Sequence, residues 1–254
     1  MLPQSAADHP DFCRVSALGQ VNGRVPFSGM QEFETAMTEQ LGSIPLFGGL
    51  DRETLALLAA GSSRRRYDAG ATVFREGDAP DGLYVLESGW VRAVKMSPQG
   101  REQVLQFIGP GETFNTVALF SRRNPATAMA LEESVVRVVS LATIEHLLAE
   151  RPQFARRILE NMADRLIYLV GLVDDLSLRS VMARLASLIL DQAQDGVLAR
   201  PKWFTFAELA ARLGTVPDVI QRAMGALQAE GAIEVSRREI RVLDEEKLRE
   251  FTQG

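Results

Sequence analysis

Three hydrophobic patterns follow one another along the chain. Between about residues 31 and 60, apolar positions recur at helical spacing and are interrupted by glycine and proline, which predicts two short helices. From Ser63 the spacing changes to two, and turn residues arrive at close intervals. The runs between the turns are Ala71–Arg75, Leu83–Leu86, Trp90–Lys95, Gln103–Ile108, Thr127–Leu131 and Ser134–Val139. Many short strands at this spacing predict an antiparallel roll or sandwich.

Beyond Leu141 the spacing is helical again. A short helix over Ala142–Glu150 ends before Pro152, and a long amphipathic helix follows. Its apolar seam, in alternating steps of three and four, consists of Leu159, Met162, Leu166, Leu169, Val173 and Leu176. A heptad seam indicates a two-stranded coiled coil, and hence a homodimer. The alternative is a core helix packed on its own roll; Ile158 and Ile167 widen the stripe, so we expect the helix to do both.

The C-terminal third is predicted to contain short helices and a hairpin joined by short turns. The predicted elements are a helix over Val181–Gln192, a polar linker from Asp195 to Lys202, a helix over Phe206–Leu213, a turn at Gly214, a helix over Val216–Glu230 and a hairpin over Ala232–Leu243. This order is typical of a winged helix-turn-helix. The fold class is therefore α+β. We expect an extension over residues 1–30, a sensor roll with flanking helices over 31–150, a dimerisation helix over 151–180 and a DNA-binding domain over 181–254.

Composition changes this picture only in part. The chain has 254 residues, 46% of them hydrophobic, and 28 basic against 33 acidic residues give a net charge of −5, which does not by itself indicate nucleic-acid binding. The single cysteine, Cys13, excludes an intrachain disulfide and a four-cysteine iron–sulfur or zinc site. Residues 1–30 lack the apolar core of a signal peptide, and no window has 18 consecutive apolar residues. We therefore expect a cytoplasmic protein with no membrane partner.

Two motifs, in this order of parts, carry a family resemblance. The first is Gly70-x-x-Val73-Phe74-x-Glu76-Gly77-Asp78, followed by Asp81-x-Leu83-Tyr84-Val85-Leu86-x-Ser88-Gly89. The second is Glu208-Leu209-Ala210-x-x-Leu213-Gly214, followed by Asp218-x-x-Gln221-Arg222-x-x-x-x-Leu227-x-x-x-Gly231-x-Ile233. Over about residues 40–243 the chain resembles the cyclic-AMP receptor protein / fumarate–nitrate reduction regulator (CRP/FNR) family of bacterial transcription factors. The resemblance implies a cyclic-nucleotide-binding-like roll, promoter DNA as a ligand and RNA polymerase as a partner.

The second helix of the helix-turn-helix carries the candidate base-reading residues. Its start predicts a cap at Thr215, a first-turn Pro217 and an acidic partner at Asp218. We expect the inward residues to be Val219, Ala223, Met224 and Leu227. Gln221 and Arg222 then face outward with Asp218, and their side chains suit adenine and guanine edges. The alternative for Arg222 is an ordinary solvated charge.

The other candidate DNA contacts follow from the wing and the resemblance. Arg237 and Arg238 lie at the predicted hairpin tip, where they would contact phosphates without reading sequence. By resemblance, Asp218, Gln221 and Arg222 match base-reading positions of the family. Pro217 departs from the family's commoner polar residue at this position, so we do not carry over the base or phosphate contact that the resemblance implies there.

The effector pocket departs from the family pattern. In cyclic-nucleotide members, a glutamate accepts from the ribose and an arginine clamps the phosphate; Thr116 and Ala126 stand at the matching positions here. Without a guanidinium a buried phosphate lacks its counter-charge, so we expect cyclic AMP not to be the effector. The candidate pocket residues are Phe114, Asn115, Thr116, Arg122, Arg123, Ala126 and Thr127. Related sensors bind haem, for which His9, Cys13 and His146 are the candidate ligands here.

Two function classes remain. The first is a homodimeric, sequence-specific DNA-binding regulator controlled by an effector in the roll. The second is a ligand or haem sensor whose C-terminal domain acts mainly through a protein partner. An enzyme is not expected, because the chain has no GxSxG elbow, no P-loop and no recognisable carboxylate pair.

Overall fold

The computed structural model describes residues 37–253. The predicted extension over residues 1–30, with His9 and Cys13, therefore lies outside the described residues. Residues 37–42 are helical, a 3-10 turn covers Pro45–Phe47, and helix α1 spans Arg52–Ala60. Asp51 caps α1, because its Oδ1 atom accepts from the Thr54 N–H at 2.8 Å. These helices pack against one outer face of the roll.

Two four-stranded antiparallel sheets form the predicted roll. Their strands are β1 (Ser62–Tyr67), β2 (Thr72–Phe74), β3 (Gly82–Ser88), β4 (Val91–Met96), β5 (Glu102–Ile108), β6 (Thr113–Phe114), β7 (Thr127–Ala130) and β8 (Ser134–Ser140). The strand orders are β1-β8-β3-β6 and β2-β7-β4-β5. A short helix, α2 (Ala118–Ser121), lies between β6 and β7. The sequence predicted six of these strands; β1 and β6 were missed.

An aromatic cluster fills the interior of the roll. The ring centroids of Phe74 and Tyr84 are 5.0 Å apart, and those of Tyr84 and Phe114 are 5.3 Å apart. Aliphatic residues from both sheets, such as Leu86 and Val136, complete this core. Burial raises the pKa of Tyr84 to about 12, because the ionised phenolate would lose its hydration. The interior between the sheets is therefore predominantly apolar.

Two helices lead out of the roll. Helix α3 (Leu141–Glu150) is capped by Ser140, and α4 (Pro152–Leu178) follows as a single 27-residue helix. Phe154 and Ile158, near the start of α4, are fully buried against the roll and its helices. Within residues 37–253, no helix has the length and apolar content needed to cross a membrane.

The C-terminal elements form a winged helix-turn-helix, as predicted. They are α5 (Val181–Gln192), β9 (Val197–Ala199), α6 (Phe206–Arg212), α7 (Pro217–Ala229), β10 (Ile233–Val235), β11 (Glu239–Val242), α8 (Glu245–Glu250) and a 3-10 turn (Phe251–Gln253). Their core includes Leu185, Leu209, Ile220 and Leu227. The turn between α6 and α7 requires Gly214, which has a φ of 63°. The wing has three strands, β10-β11-β9, where the sequence predicted two.

Candidate nucleic-acid interface and effector pocket

The start of α7 differs from its prediction. Val216 is the N-cap residue, and no side chain caps the helix. The predicted cap at Thr215 is wrong, because the chain turns one residue later and the Thr215 N–H donates to the Ala210 carbonyl at 2.9 Å. Pro217 occupies the first helical position, as expected, where its missing N–H costs nothing. Asp218 lies in the first turn, where its charge is favourable to the helix dipole.

The two faces of α7 separate packing from recognition. Ala223, Met224 and Leu227 are buried, but the inward prediction for Val219 is wrong: Val219 is half-buried, and Ile220 is the fully buried residue of that turn. The other face exposes Asp218, Gln221 and Arg222, which line an open groove of about 610 Å³. Among residues 37–253, no carboxylate forms an ion pair with Arg222. Its guanidinium donors are therefore available for an external acceptor.

The tip of the wing carries exposed cations. Arg237 and Arg238 lie between β10 and β11, where the Ser236 hydroxyl accepts from the N–H groups of Arg238 and Glu239 at 3.2 and 3.0 Å. Two cations that the sequence analysis missed, Arg200 and Lys202, line an open groove of about 620 Å³ together with Arg237 and Arg238. They were missed because they belong to a linker, and the pairing of β9 with β11 brings that linker to the wing. The sequence signal that could have identified Arg200 and Lys202 is their position as a pair of cations shortly before α6.

Helix α6 joins the DNA-binding domain to the roll. Arg92 on β4 forms ion pairs with Glu102 at 2.8 Å and with Glu208 on α6 at 3.0 Å. Burial raises the pKa of Glu208, and Arg92 partly opposes that shift. Beside the ion pairs, the Trp203 ring lies 5.4 Å from Trp90 and 5.7 Å from Phe107, centroid to centroid. The orientation of the helix-turn-helix is thus fixed by contacts with β4 and β5.

The candidate effector residues fall into two groups. Phe114, Thr116 and Ala126 are buried, and Asn115 and Thr127 are half-buried. Asn115 has a φ of 69°, and its Nδ2 atom donates to Asn124 at 2.8 Å. The Thr116 hydroxyl donates to Asn161 on α4 at 3.1 Å. Thr116 therefore connects this segment of the roll to the long helix.

The arginines of this segment lie on the surface. Arg122 and Arg123 are exposed, and Arg122 forms an ion pair with Glu145 on α3 at 2.6 Å. The buried arginine of the roll, Arg137, is paired with Glu87 at 2.6 Å and lies on the opposite sheet face from the aromatic interior, beside Ser62. The guanidinium that the family's phosphate site requires is therefore not supplied by Arg122 or Arg137.

The haem candidates gain no support from geometry. His146 is exposed on α3, outside the roll, while His9 and Cys13 lie outside the described residues. Over residues 37–253, no three His, Cys, Asp or Glu side chains form a group suited to a metal ion. The exposed position of His146 outside the roll therefore does not support its role as a haem ligand.

The predicted dimer seam divides between two faces of α4. Leu159, Leu166 and Val173 are each more than half exposed, whereas Met162, Leu169 and Leu176 are half-buried. Met162 packs against the core beneath α4, and Leu176 approaches the turn at Gly214. The exposed stripe instead continues through Ala163 and Val170. Three of the six seam residues are thus exposed and three are half-buried, and the exposed stripe keeps the heptad period; the six-residue dimer seam stays a prediction.

The roll, the long helix and the winged helix-turn-helix with its exposed α7 face together define the class of this protein. It is a DNA-binding regulator that carries an effector-binding domain. Residues 64–151 match the cyclic nucleotide-binding domain family, and residues 183–251 match the Crp-like helix-turn-helix domain family. The chain belongs to the CRP/FNR family of transcription regulators, which is not a family of enzymes.

Relatives of similar length support this assignment. The chain is 28% identical over 220 residues to the CRP-like cAMP-activated global transcriptional regulator of Mycobacterium tuberculosis, covering 84% of this chain and 98% of that protein. It is 29% identical over 211 residues to the cyclic AMP receptor protein of Thermus thermophilus, with coverages of 83% and 97%. The structure of FixK2 from Bradyrhizobium japonicum shares the fold, with a TM-score of 0.67 at 22% identity over 75% of this chain and 96% of that chain.

Proposed function

We propose that this protein is a homodimeric, sequence-specific regulator that binds promoter DNA through α7 and responds to an effector other than cyclic AMP. The observation that carries the proposal is the exposed face of Asp218, Gln221 and Arg222, on which Arg222 has no ion-pair partner among the described residues. Family membership supports RNA polymerase as the protein partner at the promoter.

The chemistry of this face suits base edges in a major groove. Arginine donates two parallel hydrogen bonds to guanine, and glutamine pairs with adenine in a similar two-point contact. Asp218 would accept from a cytosine amine or orient Arg222. Because Met224 and Leu227 are buried in the domain core, the reading side chains project from a helix whose rotation is fixed.

The exposed stripe of α4 supports the homodimer. Leu159, Leu166, Val170 and Val173 recur in steps of seven, four and three, which places them on one seam. Burying each side chain in a second copy would contribute about 1.5–3 kcal/mol. A two-fold dimer would present its two α7 helices to half-sites ~34 Å apart.

The roll supports an effector other than cyclic AMP. The relatives from M. tuberculosis and T. thermophilus are named for cyclic AMP, but this chain has Thr116 and Ala126 at the positions of the family's glutamate and arginine. Both residues are buried, and Thr116 is engaged with Asn161. We propose that the effector changes the contact between this segment and α4, which would alter the spacing of the two α7 helices.

The test is a gel shift on a palindromic duplex selected by the protein from a random pool. Arg222→Ala should weaken binding to the selected duplex about 5- to 150-fold, because one two-point base contact contributes about 1–3 kcal/mol. Arg249→Ala, which removes an exposed arginine on α8, is the matched control. An unchanged affinity of Arg222→Ala would contradict the assigned role. If the wild-type protein binds no duplex even at low salt, the alternative of a sensor acting through a protein partner is favoured.

A further inference from the structure

We propose that Arg179 is a positioning residue for DNA recognition, which sets the angle between the long helix α4 and the DNA-binding domain by joining both to the turn Phe251–Gln253. The inference rests on the proposed function, because it concerns how a homodimer would hold its two α7 helices. None of the candidate DNA-contacting residues of α7 or the wing takes part in it.

The chain passes from α4 to the DNA-binding domain through two residues. Helix α4 ends at Leu178, and α5, the first helix of the domain, begins at Val181. Arg179 has an extended backbone, with a φ of −114° and a ψ of 144°, and Ser180 caps α5 by accepting from the Ala183 N–H at 3.1 Å. Each residue has only two rotatable backbone dihedrals, so the contacts of this short link decide the angle at which the two helices meet.

The Arg179 guanidinium contacts three separate elements. Its Nη1 atom donates to Asp175 on α4 at 2.9 Å. Its Nη2 atom donates to the Ser187 hydroxyl on α5 at 2.6 Å and to the Thr252 carbonyl of the turn at 2.9 Å. Guanidinium donors lie in one rigid plane, so three acceptors around that plane fix their elements relative to one another. Arg179 therefore links the last turn of α4 to two elements of the DNA-binding domain.

The turn Phe251–Gln253 is itself held in place by the domain. Phe251 packs against the core of the DNA-binding domain, and the Thr252 hydroxyl donates to the Arg249 carbonyl at 2.7 Å. The turn directly follows α8, whose Leu248 is fully buried. The Thr252 carbonyl is thus a fixed acceptor, and a fixed acceptor can orient the side chain that donates to it.

A charge and a packing contact at the end of α4 depend on the same hinge. Burial lowers the pKa of Arg184 on α5, and the carboxylate of Asp175, the partner of Arg179, opposes that shift. Leu176, the next residue, lies so close to the turn between α6 and α7 that a Cβ atom at Gly214 would be 2.7 Å from Leu176 Cδ2. A change of the hinge angle would therefore move α4 relative to the helix-turn-helix as well as to α5.

The hinge angle affects DNA binding because the two recognition helices of a dimer must fit one duplex together. In a two-fold dimer the two α4 helices pair, so the angle at each hinge sets the distance between the two α7 helices. Two half-sites are bound as one unit only when that distance matches the DNA. The contacts of α6 with β4 and β5 hold the domain from the roll, and Arg179 holds it from α4. We therefore assign Arg179 to the spacing of the half-sites and not to the reading of bases.

The experiment compares palindromic duplexes with a single half-site. Affinities of the 254-residue chain are measured by fluorescence anisotropy on the selected palindrome, on palindromes with spacers one base pair shorter and longer, and on a duplex with one half-site. Arg179→Gln should weaken binding to the selected palindrome about 10-fold and reduce its preference over the altered spacers by a similar factor, while binding to the half-site stays unchanged. Arg156→Gln is the matched control, because Arg156 on α4 also forms an i,i+4 ion pair, with Glu160 at 2.9 Å. It should leave every affinity unchanged.

A second variant tests the turn. A chain without residues 251–254 lacks the Thr252 carbonyl and should show the same loss of palindrome affinity and of spacing preference as Arg179→Gln. Combining the two changes should give little further loss, because both act through one contact. Circular dichroism and light scattering of each variant establish that a changed affinity is not caused by unfolding or by dissociation of the dimer.

The outcomes separate the positioning role from the proposed function. An unchanged spacing preference of Arg179→Gln, or an equal loss of affinity for the half-site and the palindrome, would overturn the role of Arg179 while the proposed function stands. Unchanged binding by the shortened chain would overturn the role of the turn. Failure of the wild-type chain to bind any of these duplexes at low salt would overturn the proposed function, and the positioning role with it.

Discussion

The DNA face and the interior of the roll differ in their charged groups. On the DNA face, Arg222 and Arg238 are exposed and unpaired among the described residues. In the roll, Arg122 and Arg137 lie outside the space between the sheets and pair with Glu145 and Glu87, while aromatic rings and aliphatic side chains occupy that space. A surface with free cations is ready for a polyanion, whereas an apolar interior is not ready for a buried phosphate. This difference accords with our proposal that the DNA-binding face keeps the family's function while the effector site of the roll differs.

The largest expected effect tests whether DNA binding requires a dimer of the chain. Leu166→Asp with Val170→Asp places two charges in the exposed stripe of α4, so we expect dissociation of the dimer and a reduction of binding to the selected palindrome by more than about 100-fold. Light scattering gives the mass and a gel shift gives the affinity. Gln153→Asp, at the exposed start of α4, is the control and should change neither. A dimer that survives the double substitution would show that the stripe is not the interface.

A smaller effect tests the apolar character of the roll. Burial raises the pKa of Tyr84 to about 12, so the unfolded chain ionises this group near pH 10 while the folded chain does not. The stabilising contribution is therefore complete below about pH 10 and is lost as the pH rises toward 12, by about 2 kcal/mol. Denaturant unfolding of wild type and Tyr84→Phe across this range measures the difference. Parallel pH profiles of the two proteins would contradict a buried phenol.

The smallest expected effect is an absence of response. Titration of the full-length chain with millimolar cyclic AMP in a calorimeter should give no saturable heat, because Ala126 supplies no guanidinium to the phosphate. A relative that is activated by cyclic AMP serves as the positive control. Tight binding of cyclic AMP would show that the roll, like the DNA face, accepts a phosphate, and would contradict the difference between the two regions.

Most of the fold could be predicted from local pattern. The helix Val181–Gln192 has the predicted bounds, because its cap at Ser180 and its apolar period are both local signals. Strand β1 was missed because its sequence, SSRRRY, has no apolar alternation; its pairing with β8 holds it in the sheet. The division into four predicted segments stays a prediction.

The inward face of α4 and the position of Arg200 beside the wing could not be predicted from the sequence, because both depend on contacts between distant parts of the chain. Steps of three and four give two seams that share Leu159, Leu166 and Val173 and differ in whether Met162 or Ala163 comes next. Both seams have the same period, so packing against the roll decides which faces inward. Arg200 was missed for a similar reason, since its place beside Arg238 depends on the long-range pairing of β9 with β11. Arg222, by contrast, followed from helical periodicity within one element.

The two tryptophans of the chain stand on opposite sides of the junction between the roll and the DNA-binding domain. Trp90 belongs to the turn before β4, and Trp203 precedes α6, so their rings meet only while the two domains stay docked. Any ligand that loosens or tightens this junction should change the intrinsic fluorescence of the protein, without an added label. The chain therefore contains its own optical reporter, with which a library of metabolites can be screened for the effector.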